Sequence, residues 1–217
     1  MVQSSGGPLL PGDVFVQRVR VEEGAWVRVR DQGAVSVNAA QNEPASVERQ
    51  SLQVARGARL ERLAEPRILQ PGAQYTSRID VDVESGGVAV FAESVLIHGD
   101  ARTGRYRTEL YVRKDGELVA VDHSALDVHE LTAGEPAAYG LVCFIGPFEE
   151  HALTSWSHRS TDGSYAVASV LPHEVGVAVR IAAPTNLGLR RLLDECLALM
   201  PEARAGGHRR HGDLVER

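Results

Sequence analysis

The chain has 217 residues, 43% of them hydrophobic, which is enough for one sizeable core in one domain. Its 23 Lys and Arg against 29 Asp and Glu leave a formal net charge of −6, the wrong sign for a phosphate-backbone partner. The first twenty residues have no basic segment leading into an apolar one, and no apolar run approaches the roughly 18 residues of a membrane span. The sequence therefore predicts a cytoplasmic protein that binds neither nucleic acid nor membrane.

Read in chain order, the dominant pattern is two-residue alternation, the mark of half-buried strands. A first strand is expected over Val14 to Val21, and Val27 and Val29 then interleave with Arg28 and Arg30. Ile79, Val81 and Val83 interleave with Arg78, Asp80 and Asp82. Further strands are expected over Val88 to Ile97, Arg105 to Arg113, Glu117 to Asp122, Tyr165 to Val170 and Val175 to Ile181. Most of the chain thus reads as antiparallel β-structure. Leu131 to Ser160 is less regular and is expected to hold a short helix near Glu135 to Gly140 and a strand over Leu141 to Ile145.

A degenerate repeat runs through the first half. Val21-Glu-Glu-Gly24, Val54-Ala-Arg-Gly57 and Val83-Glu-Ser-Gly86 each precede a fresh apolar segment, with the glycines 33 and then 29 residues apart. Glycine supplies the positive φ of a tight turn, so the repeat suggests stacked units that bury an apolar face only against a neighbour.

Near the end, Leu189, Leu192, Leu193, Cys196, Leu197 and Met200 fall on one stripe of a helix. Thr185 or Asn186 would cap its start, and Pro201 would stop it. The expected fold is mainly β: stacked antiparallel sheets, or an irregular β-helix-like scaffold, closed by this C-terminal helix. Residues 1–203 are expected to form the domain and 204–217 a flexible polar tail. Cys143 and Cys196 both lie in apolar surroundings, so two buried free thiols are expected rather than a disulfide.

Catalytic signatures are scarce. The chain has no G-x-x-x-x-G-K-[ST] phosphate loop, no G-x-G-x-x-G opening a helix after a strand, and no G-x-S-x-G elbow. Its eight histidines form no H-E-x-x-H or paired C-x-x-C arrangement. His98 and Asp100, with His123, supply the one metal-enzyme alternative, a small metal-dependent β-barrel or sandwich enzyme. His208 and His211 are flanked by Arg209 and Arg210, which oppose a cation. Glu22-Glu23 and Glu149-Glu150 read as surface charge. A β-rich interaction module of unrelated role is the other alternative.

Two stretches carry a family resemblance. Ser4-Ser-Gly6-Gly7-Pro-Leu9-Leu-Pro-Gly12-Asp13 is similar to N-P-x-G-G-L-V-G-G-D of the urease accessory family UreD (also UreH). Glu65-Pro66-Arg-Ile68-Leu69-Gln-Pro71-Gly72-Ala73 resembles that family's P-x-P-T-I-x-F-P-G-A. Phe91-Ala92-Glu93 to Ile97, followed by Gly99, Arg102 and Gly104, is similar to its W-E-x-x-x-x-G-R-x-A-x-G-E, whereas Arg62 stands where the family usually has Trp. The chain resembles a short or divergent member.

The resemblance implies a non-catalytic β-helical scaffold that binds UreF, the GTPase UreG through UreF, and the urease structural subunits, and that assists nickel insertion. It implies no permanently bound cofactor, with nickel only in transit. Asp13 and Glu93 are the carboxylates it offers for a nickel path, while Gly6, Gly7, Gly12, Glu65, Pro66, Pro71 and Gly72 shape the backbone.

Overall fold

A computed structural model describes residues 7–39, 43–130, 137–147, 157–159 and 163–199. Gly6, Glu135, the Glu149-Glu150 pair, Met200, Pro201, His208, His211 and the 204–217 tail lie outside the described residues.

The repeat is the first three turns of a β-solenoid. The first coil holds β1 (Val14–Val21), β2 (Trp26–Arg30) and β3 (Val35–Val37). The second holds β4 (Ser46–Val54), β5 (Arg59–Leu63) and β6 (Arg67–Leu69), and the third β7 (Gln74–Val83) and the long β8 (Val88–Ile97). Successive coils stack in register, so that Val21 pairs with Val54 and Val54 with Val83. At that corner Gly24, Gly57 and Gly86 have φ of +68°, +64° and +82°, the left-handed turn for which their spacing called.

Stacking of coils makes these pairs parallel, which corrects the antiparallel reading of the first half. Alternation reports which face of a strand is buried, not which way its neighbour runs. Each coil returns through corners rather than a hairpin, so equivalent strands run the same way. Of the two expected architectures, the β-helical one is the fold here.

Antiparallel pairing begins where the coils end. β9 (Arg105–Lys114) stacks parallel on β7, and a two-residue turn then reverses the chain into β10 (Glu117–Asp127). In that turn Asp115 and Gly116 have φ of +50° and +84°, the primed hairpin geometry. The result is a five-stranded sheet in the order β1-β4-β7-β9-β10.

β11 (Ala138–Ile145) pairs antiparallel with β8, so the expected helix gives way to strand from Ala138 onward. β12 (Ser157–Arg159), β13 (Tyr165–Val170) and β14 (Gly176–Ala183) complete the opposite, nine-stranded sheet.

Helix α1 (Asn186–Ala198) starts as its sequence requires, with Thr185 Oγ1 accepting from Gly188 N at 3.1 Å. Its stripe of Leu189, Leu192 and Cys196 is buried against Val142, Phe144, Val179 and Ile181 on the outer face of the nine-stranded sheet. Cys143 and Cys196 are both buried and free, and burial pushes their thiols up, Cys196 to about 12.

Between the sheets, the glycine-corner end is apolar, with Leu52, Leu60, Ile79, Phe91 and Leu110. The far end has Val37, Leu69, Tyr75, Val95 and Tyr106. What separates these two clusters is polar.

Candidate functional site: a polar layer inside the solenoid

The polar layer arises because inward positions on facing strands carry charge. On β4, Ser46, Glu48 and Gln50 point inward and are all buried before the strand turns apolar at Leu52 and Val54. Opposite them, β5 and β6 contribute Arg62 and Arg67, and β8 contributes Glu93. Burying such groups is costly unless they are hydrogen-bonded, and most of these are.

Glu48, 1% exposed, is the hub. Its carboxylate accepts from Arg67 Nε and Nη2 at 2.9 and 2.8 Å and from Tyr75 Oη at 2.8 Å. Arg67 Nη1 donates onward to Asp31 Oδ2 at 3.0 Å and to the Glu65 carbonyl at 2.9 Å. The other oxygen of Asp31 faces Arg62 Nη2 at 2.8 Å, and Arg62 Nε donates to Gln17 Oε1 at 2.8 Å. Burial works against the charge of Arg67, but the bidentate pairing with Glu48 outweighs it and raises the guanidinium's pKa further.

Glu93 forms a second, smaller node. It accepts from Ser77 Oγ at 2.5 Å and from Tyr106 Oη at 3.1 Å, and burial, reinforced by the nearby Glu48 charge, lifts its carboxyl above the usual range despite those bonds. Tyr75 and Tyr106, which hold the two glutamates, stack with ring centroids 5.7 Å apart. Burial pushes both phenols well above their ordinary range. A void of about 10 Å³ lies between the nodes, near the smallest space that admits a water. At the first-coil end, Glu48, Arg62 and Arg67 also line a cavity of about 290 Å³.

The expected site residues divide by position. Glu93 lies in the polar layer. Asp13 is exposed and holds a turn, accepting from Leu10 N at 2.8 Å, with Gly12 beside it at φ +80°. Gly7 is exposed at the rim of the larger cavity. Pro66 is buried and its carbonyl accepts from Val35 N, while the Glu65 side chain reaches Arg190 on α1 at 2.9 Å. Pro71 and Gly72, the latter at φ +82°, form the corner leading into β7.

His98, Asp100 and His123 do not assemble. His98 Nδ1 accepts from Asp100 N at 3.2 Å in the loop after β8, whereas His123 lies on β10 of the other sheet with its Nε2 3.1 Å from Tyr111 Oη. Among the described residues no three His, Cys, Asp or Glu side chains are grouped to hold a metal ion. None of the described helices is long and apolar enough to cross a membrane.

This solenoid matches a known family along almost its whole length. The UreD urease accessory protein model covers residues 1–212. The chain belongs to the UreD family. The urease accessory protein UreD of Mycolicibacterium smegmatis is 35% identical over 199 residues, 88% of this chain and 72% of that one. Urease accessory protein UreD 2 of a Bradyrhizobium species is 32% identical over 217 residues, 95% of this chain and 76% of that one. UreD proteins are non-enzymatic scaffolds that assist nickel insertion into urease.

Sequence reasoning singled out Glu93 through its family motif, and the structure places it in the polar layer, whereas Asp31, Glu48, Arg67 and the two tyrosines were not singled out. The available signal was Glu48 and Gln50 at alternate positions of a segment flanked by valines, which is a strand with a polar inner face.

Proposed function

We propose that this UreD chain works in the cytoplasm as a docking scaffold, binding UreF, UreG through UreF, and the urease structural subunits, and that nickel passes along oxygen donors in its interior. The family match over residues 1–212 carries the scaffold reading. Trp26 and Leu187, 65% and 80% exposed, offer apolar surface for partners.

Glu48 and Glu93 supply the oxygen donors. Carboxylates release Ni²⁺ more readily than a closed set of imidazoles or thiolates, which suits cargo rather than a resident ion. Glu93 is the carboxylate we assign to this path; Asp13 we assign to its turn. Arg62 and Arg67 offset the carboxylates, so a dication reaches Glu48 only as Arg67 swings aside.

The test is co-expression of the tagged chain with UreF, UreG and urease subunits. Recovery of UreF and urease with the tag is expected, and urease matured with the Glu93→Gln variant is expected to hold less nickel. A well-folded chain that recovers neither partner would remove the scaffold reading, and full nickel loading by the variant would remove the path.

A further inference from the structure

The two sheets are finished differently on the outside. Helix α1 packs on the nine-stranded sheet, whereas the outer face of the five-stranded sheet is bare: among the described residues, none at an outward position on β1, β4, β7, β9 or β10 is buried. Inward and outward positions alternate along each strand, so the register of the stacked coils sets which side chains share this face. It brings Arg18 and Arg20 of β1 beside Arg49 of β4, with no carboxylate at any outward position of those two strands. Arg20 pairs with Glu22 at the corner, at 3.0 Å. Arg18 and Arg49 are exposed and have no ion-pair partner among the described residues. Two guanidiniums therefore stand uncompensated on a chain whose net charge is −6.

Their surroundings specify the kind of partner that fits. Arg78, the register partner of Arg49 on β7, is held by Asp80 at 3.0 Å and lies 4.4 Å over the ring of Tyr111 on β9. On the other side of Arg49, Val16 is its register partner on β1, and Val16 and Val14 are 46% and 55% exposed. Arginine and tyrosine held in place beside apolar surface are typical of faces where one folded protein meets another. Asp80, Asp82 and Glu109 interrupt the face and would repel a continuous run of phosphates, which sets it apart from a nucleic-acid platform. We propose that the outer face of the five-stranded sheet docks an acidic surface of a folded protein, with Arg18 and Arg49 pairing its carboxylates.

The proposal rests on the scaffold reading, since it assigns one of the scaffold's partners to this face, and it is independent of the nickel path.

The test compares two variants of equal charge. Arg18→Glu with Arg49→Glu reverses the face, and Arg30→Glu with Arg56→Glu reverses two exposed arginines that lie off it. Each tagged chain is co-expressed with UreF, UreG and the urease subunits, recovered at about 0.1 M NaCl and washed at about 0.5 M, where surface charges are strongly screened. The face variant is expected to lose UreF or urease by about tenfold or more, the control variant to keep both, and the salt wash to release the same partner from wild type. The substituted side chains are all exposed, so the urea midpoints are expected to match, and Arg18→Thr with Arg49→Thr decides the matter should the reversal not fold. Full recovery of both partners by the face variant, or equal losses in the face and control variants, would overturn the proposal and leave the scaffold reading standing. Nucleic acid lost from the face variant with both protein partners retained would overturn it in favour of a phosphate backbone. A wild type that recovers neither partner removes the scaffold reading and this assignment with it.

Discussion

Arg67 of β6 clasps Glu48 of β4 across the interior, its Nε and Nη2 lying 2.9 and 2.8 Å from the two carboxylate oxygens, and so ties one wall of the solenoid to the other. Both side chains are buried, at 9% and 1% exposure, so neither charge has water to fall back on. Removing one partner strands the other, at a cost of about 3–5 kcal/mol, whereas removing both charges is often close to neutral. Arg67→Met is therefore expected to lower the urea midpoint sharply, and Arg67→Met combined with Glu48→Leu to recover much of it. Equal midpoints for wild type and Arg67→Met would show that the clasp contributes nothing.

Glu93 gives stability a pH dependence of unusual sign. Burial raises its folded-state pKa above the ordinary carboxylate value of 4.5. Between those two values the folded chain binds more protons than the unfolded one, so stability falls as pH rises. The contribution is fully present below the unfolded pKa and is lost as pH climbs through the folded one. Glu93→Gln, which imitates the protonated form, is expected to flatten this part of the profile in urea titrations from pH 4 to pH 8. Glu61 acts in the opposite direction: burial opposes its charge, but Arg28 and Arg59 hold its carboxyl below the usual range, so its contribution is lost on acidification. A Glu93→Gln profile that runs parallel to wild type above pH 4.5 would mean that Glu93 ionises freely in the fold.

How legible these features were in the sequence depended on what each strand buries. β7 was plain because Tyr75, Ile79, Val81 and Val83 point inward and Arg78, Asp80 and Asp82 outward. β4 was hidden because Ser46, Glu48 and Gln50 occupy the inward positions, so an apolar-versus-polar reading breaks down over half its length. The glycine corner could be read because positive φ leaves a residue-specific mark at Gly24, Gly57 and Gly86. The polar face of β4 left a trace in Glu48 and Gln50, but the pairing of Gln17, Asp31, Glu48, Arg62 and Arg67 could not be read, since they come together only through the register of stacked coils, which no local pattern encodes.

The corner glycines differ in what a side chain would cost. At Gly57 a Cβ would meet nothing within 4 Å, yet φ is +64°, so the penalty for Gly57→Ala is conformational alone and about 1–2 kcal/mol. Asn tolerates this region better, so Gly57→Asn is expected to lose clearly less. Equal losses in the two variants, compared by urea denaturation, would point to a steric cause instead.

The contact of Gly140 with α1 allows a sharper test, because the two partners are expected to compensate each other. Gly140 sits on β11 beneath the helix, where an added Cβ would lie 2.9 Å from Leu189 Cδ1 and 3.6 Å from Leu193 Cδ2. Gly140→Ala overpacks this spot, at a cost of about 1–3 kcal/mol. Leu189 is fully buried, so Leu189→Ala empties the same spot and costs about 2–5 kcal/mol. In the double variant the alanine methyl at 140 enters space that Leu189 has vacated, so its clash disappears and part of the void is filled. The double variant should therefore be more stable than the sum of the two single losses, with a favourable coupling of about 1 kcal/mol or more by urea denaturation. Strict additivity would mean that α1 shifts away from the sheet to admit the methyl, and that the helix is held by its remaining stripe rather than by this close approach.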